Sequence, residues 1–250
     1  MLPKSEWGGA AARFELQGDE QQGVWHSRGK SHKQWRVAYR GLPFYLRLST
    51  TRHVGVFPEQ APHWDWMCDL IAQASQPPRV LNLFGYTGVA SLLAARAGAQ
   101  VTHVDASKPT VAWARENQKL AGLDESPIRW VVEDALKYCE REVKRGARYE
   151  GILLDPPPFG RGPGGEVWKF GQSMPRLWKL CRALFSERPL FLILTAYTSQ
   201  TTLPQLVADL QGVMAGHEGE IGMGRALLAE QSGGRILEPA TFVRWSATKL

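Results

Sequence analysis

Apolar residues recur along this chain with two different periods, and the change from one to the other divides it. Before residue 60 the period is two. Short strand-like segments at 12–16, 23–27, 34–39 and 44–48 are separated by Gly-Asp, Arg-Gly-Lys-Ser and Arg-Gly-Leu-Pro breaks. Trp35, Val37 and Tyr39 alternate with Gln34, Arg36 and Ala38, and Phe44, Leu46 and Leu48 repeat the alternation. That is the pattern of a half-buried antiparallel sheet. It predicts a small β subdomain over residues 1–60, behind a loose N-terminal stretch.

From Ala61 the period becomes helical. A helix over 61–74 carries Trp64, Met67, Cys68 and Ile71 at helical spacing and is closed by Pro77-Pro78. Strands and helices then alternate. Strands are predicted at 80–84, 101–104, 128–132, 151–154 and 190–195, with helices at 89–97, 110–121, 135–144, 175–185 and 202–214. Such alternation implies right-handed crossovers and a parallel sheet covered on both faces. It ends in two segments, 220–230 and 235–245, joined by Ser232-Gly233-Gly234, which predict an antiparallel C-terminal hairpin. Residues 61–250 thus read as a doubly wound, mostly parallel α/β domain.

Composition narrows the function. The chain has 250 residues, 44% hydrophobic and 22% charged, which excludes a disordered, collagen-like or coiled-coil protein. Its apolar runs fall far short of the roughly 20 residues needed to span a bilayer, and no apolar signal core opens the sequence. Cys68, Cys139 and Cys181 lie far apart, without the spacing of a disulfide framework or a zinc knuckle. A cytoplasmic protein with no membrane partner and no metal is expected.

The net charge is +6, and its distribution matters more than its size. Between Glu20 and Glu59 there is no carboxylate, while Arg28, Lys30, Lys33, Arg36, Arg40, Arg47 and Arg52 are interleaved with Trp25, Trp35, Tyr39, Phe44 and Tyr45. Cations neutralise phosphates and flat rings stack on unpaired bases. RNA contact is therefore expected through Arg28, Lys30, Lys33, Arg36 and Arg40, the plainer alternative being that the rings form the buried face of a small sheet.

A doubly wound sheet binds ligands outside the carboxyl ends of its strands, where strand order reverses. The loop after the first strand of the alternation reads Asn82-Leu83-Phe84-Gly85-Tyr86-Thr87-Gly88. Its two glycines let the backbone approach a ligand, without the three-glycine dinucleotide fingerprint. After the second strand comes Asp105-Ala106-Ser107, an acid suited to the ribose hydroxyls of a dinucleotide or of S-adenosylmethionine. The third ends in Glu133-Asp134-Ala135, where Asp134 is an acceptor for an adenine amino group. Each of these acids equally suits a helix N-cap. The fourth strand runs into Asp155-Pro156-Pro157-Pro158-Phe159-Gly160, a carboxylate on a rigid loop with few N–H donors. Proline carbonyls there can accept from a planar target and Phe159 can stack on it, which suits a nucleobase turned out of its helix. The segment 160–170, rich in glycine and carrying Arg161, Trp168 and Lys169, reads as a mobile substrate loop.

On these residues, from about Phe57 onward, the sequence resembles the class I S-adenosylmethionine-dependent methyltransferases. It is most similar to the bacterial large-subunit ribosomal RNA methyltransferases that carry an Asp-Pro-Pro-x-Phe loop. Residues 81–88, 104–107 and 154–159 carry the resemblance, with Asn117 in the helix after the ribose acid. It implies a Rossmann-like fold with S-adenosylmethionine as cofactor. Phe84, Gly85, Thr87 and Gly88 would lie along its methionine part, Asp105 on its ribose, and Asp134 with Ala135 on its adenine, with Asn82, Ala106, Ser107 and Asn117 also in the cofactor site. Phe57 and Gln60 would close over it. Asp155, Pro156, Pro157 and Phe159 would form the catalytic loop.

One departure limits the chemistry. Methylation at carbon 5 of cytosine needs a thiolate to activate the ring, and the family's cysteine for that step lies after the fifth strand. Here that loop reads Thr195-Ala196-Tyr197-Thr198-Ser199. The expected reaction is methyl transfer to a nitrogen of an RNA base, ribosomal RNA foremost. A protein or small-molecule methyltransferase, and an inactive RNA-binding module of the same fold, are the alternatives. A nicotinamide dehydrogenase ranks last.

Overall fold

Period-two alternation near the N-terminus forms two hairpins rather than the single sheet it suggested. The computed structural model describes residues 9–17, 23–28, 33–198, 201–231 and 233–248. Lys30, Ser199 and Ser232 lie outside the described residues. β1 (Ala12–Leu16) pairs antiparallel with β2 (Gly23–Ser27), with the Phe14 and Trp25 rings 5.2 Å apart across the ladder. β3 (Gln34–Tyr39) pairs with β4 (Leu42–Arg47) across a turn at Arg40 and Gly41. Only β4 carries a fully buried row, Leu42, Phe44 and Leu46, while Trp35 on β3 is exposed. With so little buried surface, the ladders stay two-stranded.

The chain divides into two compact units between Val56 and Phe57, so residues 57–60 belong to the larger one. There Pro58–Gln60 forms a single 3-10 turn leading into α1 (Ala61–Gln73). The alternation follows: β5 (Arg79–Leu83), α2 (Val89–Arg96), β6 (Gln100–Asp105), α3 (Lys108–Leu120), β7 (Ile128–Val132), α4 (Ala135–Lys144) and β8 (Gly151–Leu154). After a short hairpin of β9 (Phe159–Arg161) and β10 (Val167–Lys169) come α5 (Phe170–Leu184), β11 (Phe191–Ala196), α6 (Leu203–Met214), β12 (Gly219–Ala229) and β13 (Ile236–Ala247).

The seven-stranded sheet has the order β12-β13-β11-β8-β5-β6-β7. β11, β8, β5, β6 and β7 run parallel, and the β12–β13 hairpin joins antiparallel through β13 on β11. The α/β fold is thus the doubly wound, mostly parallel one expected. β8 and β11 are buried at every position, as central strands covered on both faces must be. Three parallel-strand helices start on capping side chains: Ser107 accepts from Thr110 N, Asp134 from Lys137 N and Thr202 from Gln205 N. Such a cap stabilises a helix by about 1 kcal/mol. Among the described residues no helix is long and apolar enough to cross a membrane.

Two further expectations need correction. α5 starts at Phe170, placing Pro175 inside the helix rather than at its head. Phe170, Met174, Leu177, Trp178, Cys181 and Leu184 form one continuous buried stripe. Burial of the first turn outweighs the roughly 3 kcal/mol that an internal proline costs. The segment 160–170, expected to be a mobile loop, forms the β9–β10 hairpin, because its tryptophan is buried rather than free.

Leu177 is fully buried in this stripe. Leu177→Ala should lower stability by about 2–5 kcal/mol in a urea melt; a loss below about 1 kcal/mol would mean that α5 does not carry the core.

Candidate active site

Strand order reverses between β5 and β8: the chain steps from β5 to β6 to β7 on one side, then returns to place β8 on the other. The loops after these two strands therefore part above the sheet and leave a crevice. A cavity of about 540 Å³ opens at the opposite, amino ends of the strands, beside Arg79, Thr102, Arg129 and Tyr149. That end has neither the crossover crevice nor the loops that carry the chemistry.

The loop after β5 is tightly wound. Phe84 and Tyr86 both have positive φ, 58° and 52°, a conformation uncommon outside glycine that marks strained functional turns. Gly88 closes it at φ 83°, where a Cβ would lie 2.9 Å from the Ala114 Cβ and 3.0 Å from the Trp130 ring. No larger residue fits. Asn117, buried on α3, donates to Thr87 O at 3.0 Å. Beneath the loop Asn82 Nδ2 donates to Ser91 Oγ, which lies 3.0 Å from His103 Nδ1. Burial holds the His103 imidazole neutral, its pKa down at about 3. Asn82, Thr87 and Asn117 are all buried, so in this structure they brace the loop rather than line its surface.

Asp105, at the end of β6, is oriented by two backbone groups: Tyr86 N donates to Oδ2 at 2.9 Å and Ser107 N to Oδ1 at 2.8 Å. Burial raises its pKa, and the two N–H groups partly offset that. Each oxygen keeps acceptor capacity for a hydroxyl pair. Ser107 is spent on its cap, with Thr110 Oγ1 donating to its hydroxyl at 2.6 Å. Asp134 gives Oδ1 to the α4 cap and keeps Oδ2, next to Ala135. The rings of Phe57 and Tyr86 lie 5.4 Å apart, and those of Tyr86 and Trp113 6.3 Å apart, giving the crevice an aromatic wall. An oriented acid, a tight glycine turn and stacked rings fit an adenosine-bearing cofactor.

The loop after β8 departs from expectation. Of its proline carbonyls, Pro157 O accepts from Trp168 Nε1 at 2.7 Å and Pro158 O from Phe170 N at 3.0 Å. Only Pro156, itself buried, keeps a carbonyl with no hydrogen bond from a described residue. Phe159 stays exposed at 40%. Asp155, half-buried at the crevice, has its Oδ1 held by Gln60 Nε2 at 3.0 Å. Gln60 Nε2 also donates to Tyr197 Oη at 3.0 Å, its Oε1 accepts from Thr195 Oγ1 at 3.1 Å, and Tyr197 Oη donates to Glu59 Oε1 at 3.2 Å. The Gln60 amide is thus committed to Asp155 and its neighbours. Desolvation, helped by the nearby Glu59 carboxylate, pushes the Asp155 pKa up to about 7, and burial next to both acids keeps Tyr197 protonated.

Glu59, Thr195 and Tyr197 were not among the expected site residues, and Trp168 was expected only on a mobile substrate loop. Thr195 lies near the carboxyl end of a parallel strand and Tyr197 just after it, so the positional rule that picked out the other loops applied to them too. Trp168 was hidden by the glycines around it. The cysteines sit on helices as expected: Cys139 and Cys181 are buried, with thiols pushed up, to about 12 for Cys181. In the small unit Arg28, Lys33, Arg36 and Arg40 are all exposed.

A sequence model of the S-adenosylmethionine-dependent methyltransferases matches residues 15–183, and the chain belongs to that family. The chain is 43% identical to a SAM-dependent methyltransferase from Agrobacterium tumefaciens of known crystal structure. That match has a TM-score of 0.91 and covers 98% of this chain and 80% of that one. It is 44% identical over 121 residues to a ribosomal RNA large subunit methyltransferase K/L of Shewanella sp. (strain MR-4), covering 48% of this chain and 16% of that protein. A protein from Streptococcus mutans assigned as a SAM-dependent methyltransferase has the same fold at 19% identity, with a TM-score of 0.72 over 90% of this chain and 58% of its own. The family's cofactor is S-adenosylmethionine.

The Asp155 environment sets a pH dependence of stability. Between about pH 4 and about pH 7 the folded chain keeps a proton that the unfolded chain has released, so this group's contribution to stability is lost as pH rises through that window. The melting temperature of Asp155→Asn, relative to the parent, should therefore climb from about pH 4 to about pH 8. A constant difference would mean a carboxyl open to water.

Proposed function

We propose that the chain transfers a methyl group from S-adenosylmethionine to a nitrogen of an RNA base, ribosomal RNA being the first candidate. The observation that carries this reading is the pairing of the Gln60-held Asp155 carboxylate with the unbonded Pro156 carbonyl. Two acceptors on adjacent residues suit the two hydrogens of an exocyclic amino group, or an amino and imino edge. When bound, the cofactor supplies an electrophilic methyl on a sulfonium.

Asp105, Asp134 and Ala135 hold the cofactor's adenosine, and Phe57, Phe84, Gly85 and Gly88 wall its other side. A nitrogen lone pair needs no covalent activation, only alignment, so orientation supplies most of the rate. Asp155 and Pro156 fix the amino edge, Phe159 stacks on the base, and the ionised Asp155 accepts the proton released as the nitrogen is methylated. Buried Cys139 and Cys181 offer no thiolate for ring-carbon attack. RNA as the substrate class draws support from the name of the Shewanella relative and from the basic residues Arg28, Lys30, Lys33, Arg36 and Arg40. Localisation in the cytoplasm accords with that substrate.

Asp155→Ala should cut methyl transfer to RNA by about 100-fold or more, while calorimetry finds cofactor affinity unchanged. Retained turnover would remove Asp155 from the mechanism, and tritiated methyl appearing in protein instead of RNA would replace the substrate. Because the ionised form of Asp155 acts, the rate should rise with pH along a limb near 7. Glu59→Gln removes a like charge and should move that limb to lower pH; an unmoved limb assigns it to another group.

A further inference from the structure

The β9–β10 hairpin stands directly after the Asp155 loop, and its two faces differ. Gly160 and Trp168 oppose each other on the inner face, where Trp168 is 3% exposed. On the outer face Phe159 is paired with Lys169 and Arg161 with Val167, and all four are exposed. Directly opposed residues of antiparallel strands, and residues two apart on one strand, share a face.

This face is held rigid from beneath. The Trp168 indole donates to Pro157 O and meets the Phe84 ring edge-on at 4.8 Å. The turn is closed by Gly162 N on Glu166 O at 2.8 Å and by Gly164 N on the Glu166 carboxylate at 2.8 Å, which also pairs with Lys137. Glu166 is the hairpin's one acid, and those partners consume it. Arg161 and Lys169 make no side-chain hydrogen bond or ion pair with any described residue. Two uncompensated cations thus flank an exposed aromatic ring beside the acceptor pair.

We infer that this face is a docking surface for single-stranded RNA, with Arg161 and Lys169 on two phosphates of the strand that delivers the target base. The inference rests on the RNA reading given above and adds a second contact surface, one within the catalytic unit itself. Diagonal neighbours across an antiparallel pair are about 7–8 Å apart, on the order of two nucleotide rises of about 3.4 Å. Charge sign and the planar ring together favour nucleic acid over an acidic peptide, which has no base for Phe159 to meet.

The test is fluorescence anisotropy of the full chain with a short, unstructured, fluorescein-labelled RNA, titrated with salt from the millimolar to the molar range. In the double variant Arg161→Gln/Lys169→Gln, the slope of log affinity against log salt should shrink by about 1.4, or about 0.7 per phosphate contact. The two proteins should converge in affinity at high salt, with melting temperature and cofactor affinity unchanged. An unaltered slope overturns the docking surface and, if RNA is still methylated, leaves the proposed function standing. Equal loss of binding to polyglutamate assigns the face to acidic peptides and overturns it as well. If the parent chain neither binds nor methylates RNA, the functional reading falls first and this one with it.

Discussion

A carboxyl group taken out of water at the end of an apolar strand must be given partners, and that requirement organises the carboxyl side of this sheet. Asp155 follows the wholly buried β8 and meets its partner in Gln60, 95 residues earlier in the chain. For Gln60 to reach it, residues 57–60 must cross the ends of the central strands, and Pro58 sets the tight turn that does so. The same amide must satisfy its other atoms, which draws in Thr195 from the end of β11 and Tyr197 from just beyond it, and through Tyr197 the buried Glu59. One uncommon burial thereby fixes the mutual placement of three loops.

A second buried polar group supports the neighbouring strand. Asn82, Ser91 and His103 form a chain of side chains beneath the β5 loop, and the imidazole closely underlies Gly85. Buried polar networks stabilise only when their members are partnered. Among the described residues His103 Nε2 has no hydrogen-bond partner, a cost the protein bears where the loop adopts its left-handed turns. Strain above and an orphaned nitrogen below both sit at the β5 loop, which forms one flank of the crevice.

Much of this was legible in the sequence because it rests on local rules. The buried run at 151–154 could only be an inner strand, and Asp105 and Asp134 mark strand ends by spacing alone. Where tertiary burial overrules local preference, the letters mislead. Pro175 reads as a helix start but lies inside α5, because Phe170 and Met174 extend the buried stripe past it. Glycines around Trp168 read as a loose tether, yet one indole hydrogen bond and one ring contact make an ordered hairpin. The proline carbonyls read as a row of free acceptors, and two of them are consumed, one by Trp168 of that hairpin and one by Phe170 at the head of α5. The Glu59–Tyr197 contact joins residues 138 apart and has no local signature.

The hairpin is also closed at its base. Phe170 N bonds to Pro158 O, so the chain leaves the crevice and returns to it at nearly the same point. An excursion that begins and ends together works as a cassette: its tip can be lengthened, shortened or recoloured with charge while the strand before it and the helix after it keep their places.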